Sequence, residues 1–118
     1  MRTRCTVAMA LTLLALGAGT ATAHHGWSGY DSTKEMTLTG RIREAGYEHP
    51  HGFVALDVGG KVWRVVLAPP TRMENRGLPR AMLAVGATAT VVGYPNRTEP
   101  EELRAERITI NSKTTELR

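Results

Sequence analysis

The sequence has a single cysteine, Cys5, among its 118 residues. An intramolecular disulfide framework is thereby excluded, and so is any cysteine-based zinc or iron–sulfur site. The charge imbalance is small. Fifteen Lys and Arg against 11 Asp and Glu give a formal +4, too little to argue by itself for a nucleic-acid partner. There is no internal repeat and no low-complexity tract. No apolar run reaches the roughly 20 residues that span a bilayer. No H-E-x-x-H, nucleophile elbow or cofactor fingerprint occurs, so the chain does not read as an enzyme. What is present is ordinary for one globular domain: 42% hydrophobic and 22% charged residues, which argues against wholesale disorder.

Residues 1–23 have the form of an export signal. Arg2 and Arg4 give a positive start, residues 7–16 are apolar except for Thr12, and Ala21-Thr22-Ala23 ends in the small-x-small pattern of a signal-peptidase site. Cleavage after Ala23 removes Cys5 and lowers the net charge from +4 to +2. A cysteine-free mature chain suits an oxidising compartment. The expectation is a periplasmic or secreted protein with no transmembrane segment in its mature form. It divides into an N-terminal arm at 24–35, a β-domain at 36–111 and a C-terminal tail at 112–118.

The β-domain is read from period-two alternation. In residues 36–43, Met36, Leu38, Gly40 and Ile42 face one way and Thr37, Thr39, Arg41 and Arg43 the other. Strands follow at 53–58 and 61–67, joined by Gly59-Gly60, which suits a primed hairpin turn. Pro69 and Pro70 end the third strand. Thr71 and Glu74 then have capping-box spacing for a two-turn helix closed by Gly77. A fourth strand is expected at 87–94, with Thr88 and Thr90 outward, and a fifth at 103–110. Leu103 and Ala105 share one parity while Ile108 and Ile110 share the other, so a bulge near Glu106 and Arg107 is expected. This order predicts an all-β fold, a small five-stranded OB-like Greek-key barrel with one short helix between strands three and four. An open β-sandwich is the competing architecture.

All four histidines lie in two short segments: His24 and His25 at the new N-terminus, and His49-Pro50-His51 in the turn between the first two strands. Cleavage before His24 offers its α-amine, with a pKa near 8, together with its ring. An amine plus imidazoles is a nitrogen donor set suited to copper. The candidate ligands are His24, His25 and His51, with His49 as a fourth and Asp31, Glu35 or Glu48 as an oxygen donor. The plainer reading is a solvated terminus and turn histidines bonded to backbone.

His24-His25-Gly26-Trp27, Thr37-Leu38-Thr39-Gly40, Pro50-His51, Gly60-Lys61 and Trp63 together resemble a family of small exported bacterial proteins of unknown function. Its mature chains open with His-His-x-aromatic after an Ala-x-Ala signal end. The likeness runs to about Gly93. It implies export and a compact β-domain, and it carries no activity. The family has Asn before Pro-His where this chain has His49, which favours His51 as a ligand.

The remaining features have structural readings. Trp27 and Tyr30 are expected to hold the arm on the barrel, and Trp63 to be core. Arg72, Arg76 and Arg80 read as a solvated face, and Glu99, Glu101 and Glu102 as a solubilising loop. Ser28, Asp31 and the histidines do not make a triad on composition alone. Two functions compete: a copper-binding envelope protein, and a metal-independent module for an envelope protein, glycan or small ligand.

Overall fold

A computed structural model describes residues 26–118. The expected export signal at 1–23 and the candidate ligands His24 and His25 lie outside them. No helix of the described residues is long and apolar enough to cross a membrane.

The alternation in the first strand is realised as β1 (Met36–Gly46), with Leu38 and Ile42 buried and their neighbours exposed. It runs three residues further than the alternation suggests. Its register shifts between Ile42 and Glu44, leaving Arg43 as an extra residue that bends the strand around the barrel. β2 (Phe53–Val58) and β3 (Lys61–Val66) pair antiparallel around Gly59-Gly60. Both glycines have positive φ, 59° and 88°, as a primed two-residue turn demands. The Gly60 amide donates to Asp57 Oδ1 at 2.9 Å.

The helix α1 (Pro70–Asn75) starts earlier than the capping-box spacing implies. Pro69 holds the N-cap position with no side-chain cap, and Pro70 is the first helical residue. Thr71 therefore lies inside the helix. The reason is local: proline at the first helical position is preset in φ and needs no amide partner. The C-terminal expectation holds. The Gly77 amide donates to Glu74 O (3.0 Å) and the Leu78 amide to Met73 O (2.8 Å), a Schellman closure with Met73 and Leu78 both buried.

β4 (Thr88–Pro95) and β5 (Glu102–Ile110) complete the barrel. β1 lies between β2 and β4, β4 pairs with β5, and β5 pairs parallel with β3. Five strands thus close, with the helix between the third and fourth. The expected bulge is present: Val92 pairs with Arg107 and Gly93 with Ala105, so Glu106 is the extra residue. It lets Leu103, Ala105, Ile108 and Ile110 all face the core. Burial of each such aliphatic side chain is worth about 1.5–3 kcal/mol.

Residues 112–118 are not a loose tail. They include a sixth strand, β6 (Lys113–Glu116), paired with the second half of β5. The Leu117 amide donates to the carbonyl of the bulged Glu106 at 2.7 Å, and Leu117 is buried. Arg72 and Arg76 are exposed, yet they are more than a solvated face. Arg72 Nη1 donates to Leu117 O (3.0 Å), and Arg76 Nη1 to Glu116 O (2.8 Å) and Arg118 O (3.0 Å). The helix thereby fastens the C-terminal segment.

Candidate functional site

A polar cleft of about 210 Å³ opens where β3 and β5 meet, lined by Tyr30, His51, Arg64, Val66, Asn96, Glu102 and Arg104. Arg64 and Val66 come from β3 and Glu102 and Arg104 from β5, and three further segments complete the lining: the arm with Tyr30, the loop before β2 with His51, and the β4–β5 connection with Asn96.

The loop is fixed at both ends. Gly52 exchanges two backbone bonds with the β3 exit, its amide to Ala68 O (2.9 Å) and its carbonyl from the Leu67 amide (2.8 Å). Tyr47 is buried and its hydroxyl donates to Leu78 O at 2.6 Å. Arg80 Nη2 donates back to Tyr47 O at 3.2 Å. His51 is therefore held at the cleft by its neighbours' backbone. The His49–Pro50 bond is cis; His49 is exposed and lies outside the cleft lining.

The arm packs as expected. A 3₁₀ turn at Gly26–Gly29 leads to Tyr30, which bridges to Asn96. The Asp31 amide donates to Pro95 O and the Arg97 amide to Gly29 O, each at 2.9 Å. Trp27 meets Tyr94 edge-on, with ring centroids 6.0 Å apart. The guanidinium groups of Arg104 and Arg118 each lie 4.6 Å from the Trp27 ring centroid, a cation–π arrangement.

Glu102 is the hub of the cleft. Its Oε2 accepts from the Tyr30 hydroxyl (3.0 Å) and from Asn96 Nδ2 (2.6 Å). Arg64 Nε lies 3.9 Å from its Oε1, with the Arg64 guanidinium 4.4 Å from the Phe53 ring centroid. Glu102 thus does more than solubilise a loop. Arg104 differs from Arg64 in lacking a carboxylate: no ion pair to it occurs among the described residues. Arg104 is only 8% exposed. Its Nη1 donates to Gly26 O at 2.8 Å, while its Nε is buried with no hydrogen-bond partner among those residues. Burial holds its pKa below the usual arginine value because the charged form loses its water.

Of the sequence-predicted ligands among the described residues, His51 alone lines the cleft. Asp31 is occupied in its own turn, accepting from the Thr33 amide (3.0 Å) and hydroxyl (2.6 Å). Those bonds hold its carboxyl below the ordinary range. Glu35 and Glu48 are exposed. No group of three His, Cys, Asp or Glu able to hold a metal occurs among the described residues. Sequence reasoning missed Arg104, Asn96 and Arg64. Arg104 stands between Leu103 and Ala105 but among Glu101, Glu102, Glu106 and Arg107, so no local pattern sets it apart from a solvated charge.

Burial, then the bond to Glu102 and its charge, push the Tyr30 pKa from 10.0 to about 12. Tyr47 is raised by burial and Tyr94 by its bond to Glu106. Ultraviolet titration is expected to show delayed ionisation of all three tyrosines, the last near pH 12, and Glu102→Gln to bring that last step down. Between pH 10 and 12 the unfolded chain releases the Tyr30 proton that the folded chain retains. Folding stability therefore falls across that window. Tyrosines ionising together at the ordinary value would contradict this.

Residues 11–103 match a family described as "Family of unknown function (DUF6152)". No curated protein matches the chain. Among solved structures, the S. pombe Stn1–Ten1 complex is similar at TM-score 0.53 and 20% identity, over 67% of this chain and 59% of that one. A complex of TiaS with a transfer RNA and ATP gives 0.50 and 22%, over 75% and 20%. An OBody, AM3L09, bound to hen egg-white lysozyme gives 0.50 and 18%, over 68% and 83%. At these identities the likeness establishes the OB-type barrel alone.

Proposed function

The chain belongs to this family of unknown function, and on that premise we propose that it is an exported small β-barrel, periplasmic or secreted, that binds one copper ion between its N-terminus and the loop before β2. The ligands are the His24 amine and ring, the His25 ring and His51. His49 is the weaker fourth candidate, being exposed and outside the cleft lining.

One observation carries the reading. Arg104 forms the cleft wall together with His51 and donates to Gly26 O at 2.8 Å. Gly26 directly follows His25, and successive Cα atoms are 3.8 Å apart. Two residue steps therefore separate His24 from a backbone carbonyl bound by an arginine that lines the cleft. The donor chemistry also fits. Nitrogen ligands favour copper, which adopts square or tetragonal geometry with them, and His51 brings one imidazole to the cleft to which the terminal residues would add theirs. The reading assigns no catalytic step.

Intact mass of the protein recovered from the cell envelope tests where the chain begins. Copper titration of that material followed by electron paramagnetic resonance tests the site. The expected result is a chain starting at His24 and one equivalent of bound Cu(II) with nitrogen hyperfine structure. A chain that starts elsewhere, or binding indistinguishable from free histidine, would reject it. The alternative, a metal-independent module for an envelope protein, glycan or small ligand, has its own support in the arginine of the cleft.

A further inference from the structure

We propose that the cleft is also a binding site for a small monocarboxylate, with the side edge of the Arg104 guanidinium as its anchor. This goes beyond the copper reading and does not depend on it.

Arg104 as a residue is 8% exposed and has given up much of its water, and buried charges are ordinarily matched by an opposite charge. Arg104 has no such match among the described residues. Its nearest supports are the Gly26 carbonyl and the faces of Trp27 and Tyr30, 4.6 and 5.9 Å from its Cζ. Each of these stabilises a cation only partly. Arg64, on the same cleft, has its carboxylate in Glu102, so Arg104 is the uncompensated charge. The buried Nε without a partner identifies which edge is free. Nη1 is used by Gly26, whereas the Nε side belongs to the fork that receives a carboxylate in two parallel bonds.

The rest of the cleft narrows the ligand. Its volume, about 210 Å³, lies below the roughly 300–1,000 Å³ of sites for drug-sized molecules. A carboxylate bearing a few carbon atoms suits that space. Glu102, on the same wall, makes a second negative charge unfavourable and so selects a monoanion over a dianionic phosphate. Val66 offers the ligand's carbon chain an apolar contact.

The test uses mature protein stripped of metal on a chelating resin, so that acetate cannot bind as a copper ligand. The Arg104 Nε–H resonance and the backbone amides of 102–104 are followed by NMR during titration with sodium acetate, at ionic strength held constant with sodium chloride. A saturable shift with acetate, absent with chloride alone and absent with uncharged methyl acetate, is the expected result. Arg104→Lys keeps the charge and removes the fork, and is expected to weaken acetate binding at least tenfold. The methyl acetate comparison keeps the test decisive should that variant not fold. Equal shifts with chloride or with the ester, acetate binding unchanged in Arg104→Lys, or phosphate binding more tightly than acetate would each overturn the assignment. Failure here leaves the copper titration unaffected, because the two use different preparations and different ligands.

Discussion

Gly93→Ala is expected to destabilise the barrel by about 3 kcal/mol, the upper end for overpacking, and to lower the thermal midpoint by roughly 15 °C. A Cβ built on Gly93 stands 2.0 Å from Arg104 O and 2.8 Å from Ala105 Cα. Both obstacles are backbone of the paired strand, so no side chain can swing aside. The clash falls where Gly93 pairs with Ala105, next to the bulged Glu106. Relief there separates β4 from the strand that closes the barrel. Gly29→Ala is the matched control, because its Cβ meets nothing within 4 Å and its expected effect is within about 0.5 kcal/mol. Urea unfolding of the two variants measures the difference. A Gly93→Ala protein as stable as the control would mean that β4 and β5 do not approach in this way.

On the proposed copper reading, loss of copper affinity in His51→Ala is the second large effect expected. Removing outer-sphere partners of a metal ligand costs about 10–100-fold in affinity, and loss of a direct nitrogen ligand is expected to exceed the top of that range. The nitrogen hyperfine pattern should lose one contributor at the same time. Retaining Ala23 ahead of His24 moves the terminal amine one residue along, and is expected to weaken binding comparably. His49→Ala is expected to change affinity by less than about threefold, well below even an outer-sphere loss. Unchanged affinity in His51→Ala would place the metal on the terminal residues alone and remove the barrel from the site.

These two effects differ in how far they could be read from residues. The barrel was legible wherever a strand has one wet face: Leu38 and Ile42 alternate with exposed neighbours, and the parity break after Ala105 marks the bulge at Glu106. The helix start was not, because the adjacent Pro70 and Thr71 send competing signals within the same turn. β6 was not, because Thr115 is the one buried residue in Lys113–Glu116. The histidine of the cleft was visible as a residue but its surroundings were not. Arg64, Glu102 and Arg104 come together through a parallel pairing of β3 with β5, a contact between distant segments that leaves no local periodicity.

β5 has a further consequence. It clasps β4 along one edge, and β3 and then β6 along the other. A chain emerging from its N-terminus can form the β1–β3 meander early. It has nothing to shut the cylinder with until residues 102–104 have come through to pair with β3. Closure is therefore late in vectorial synthesis, because the contacts that make it join distant segments of the chain. Until then the polypeptide stays open and threadable.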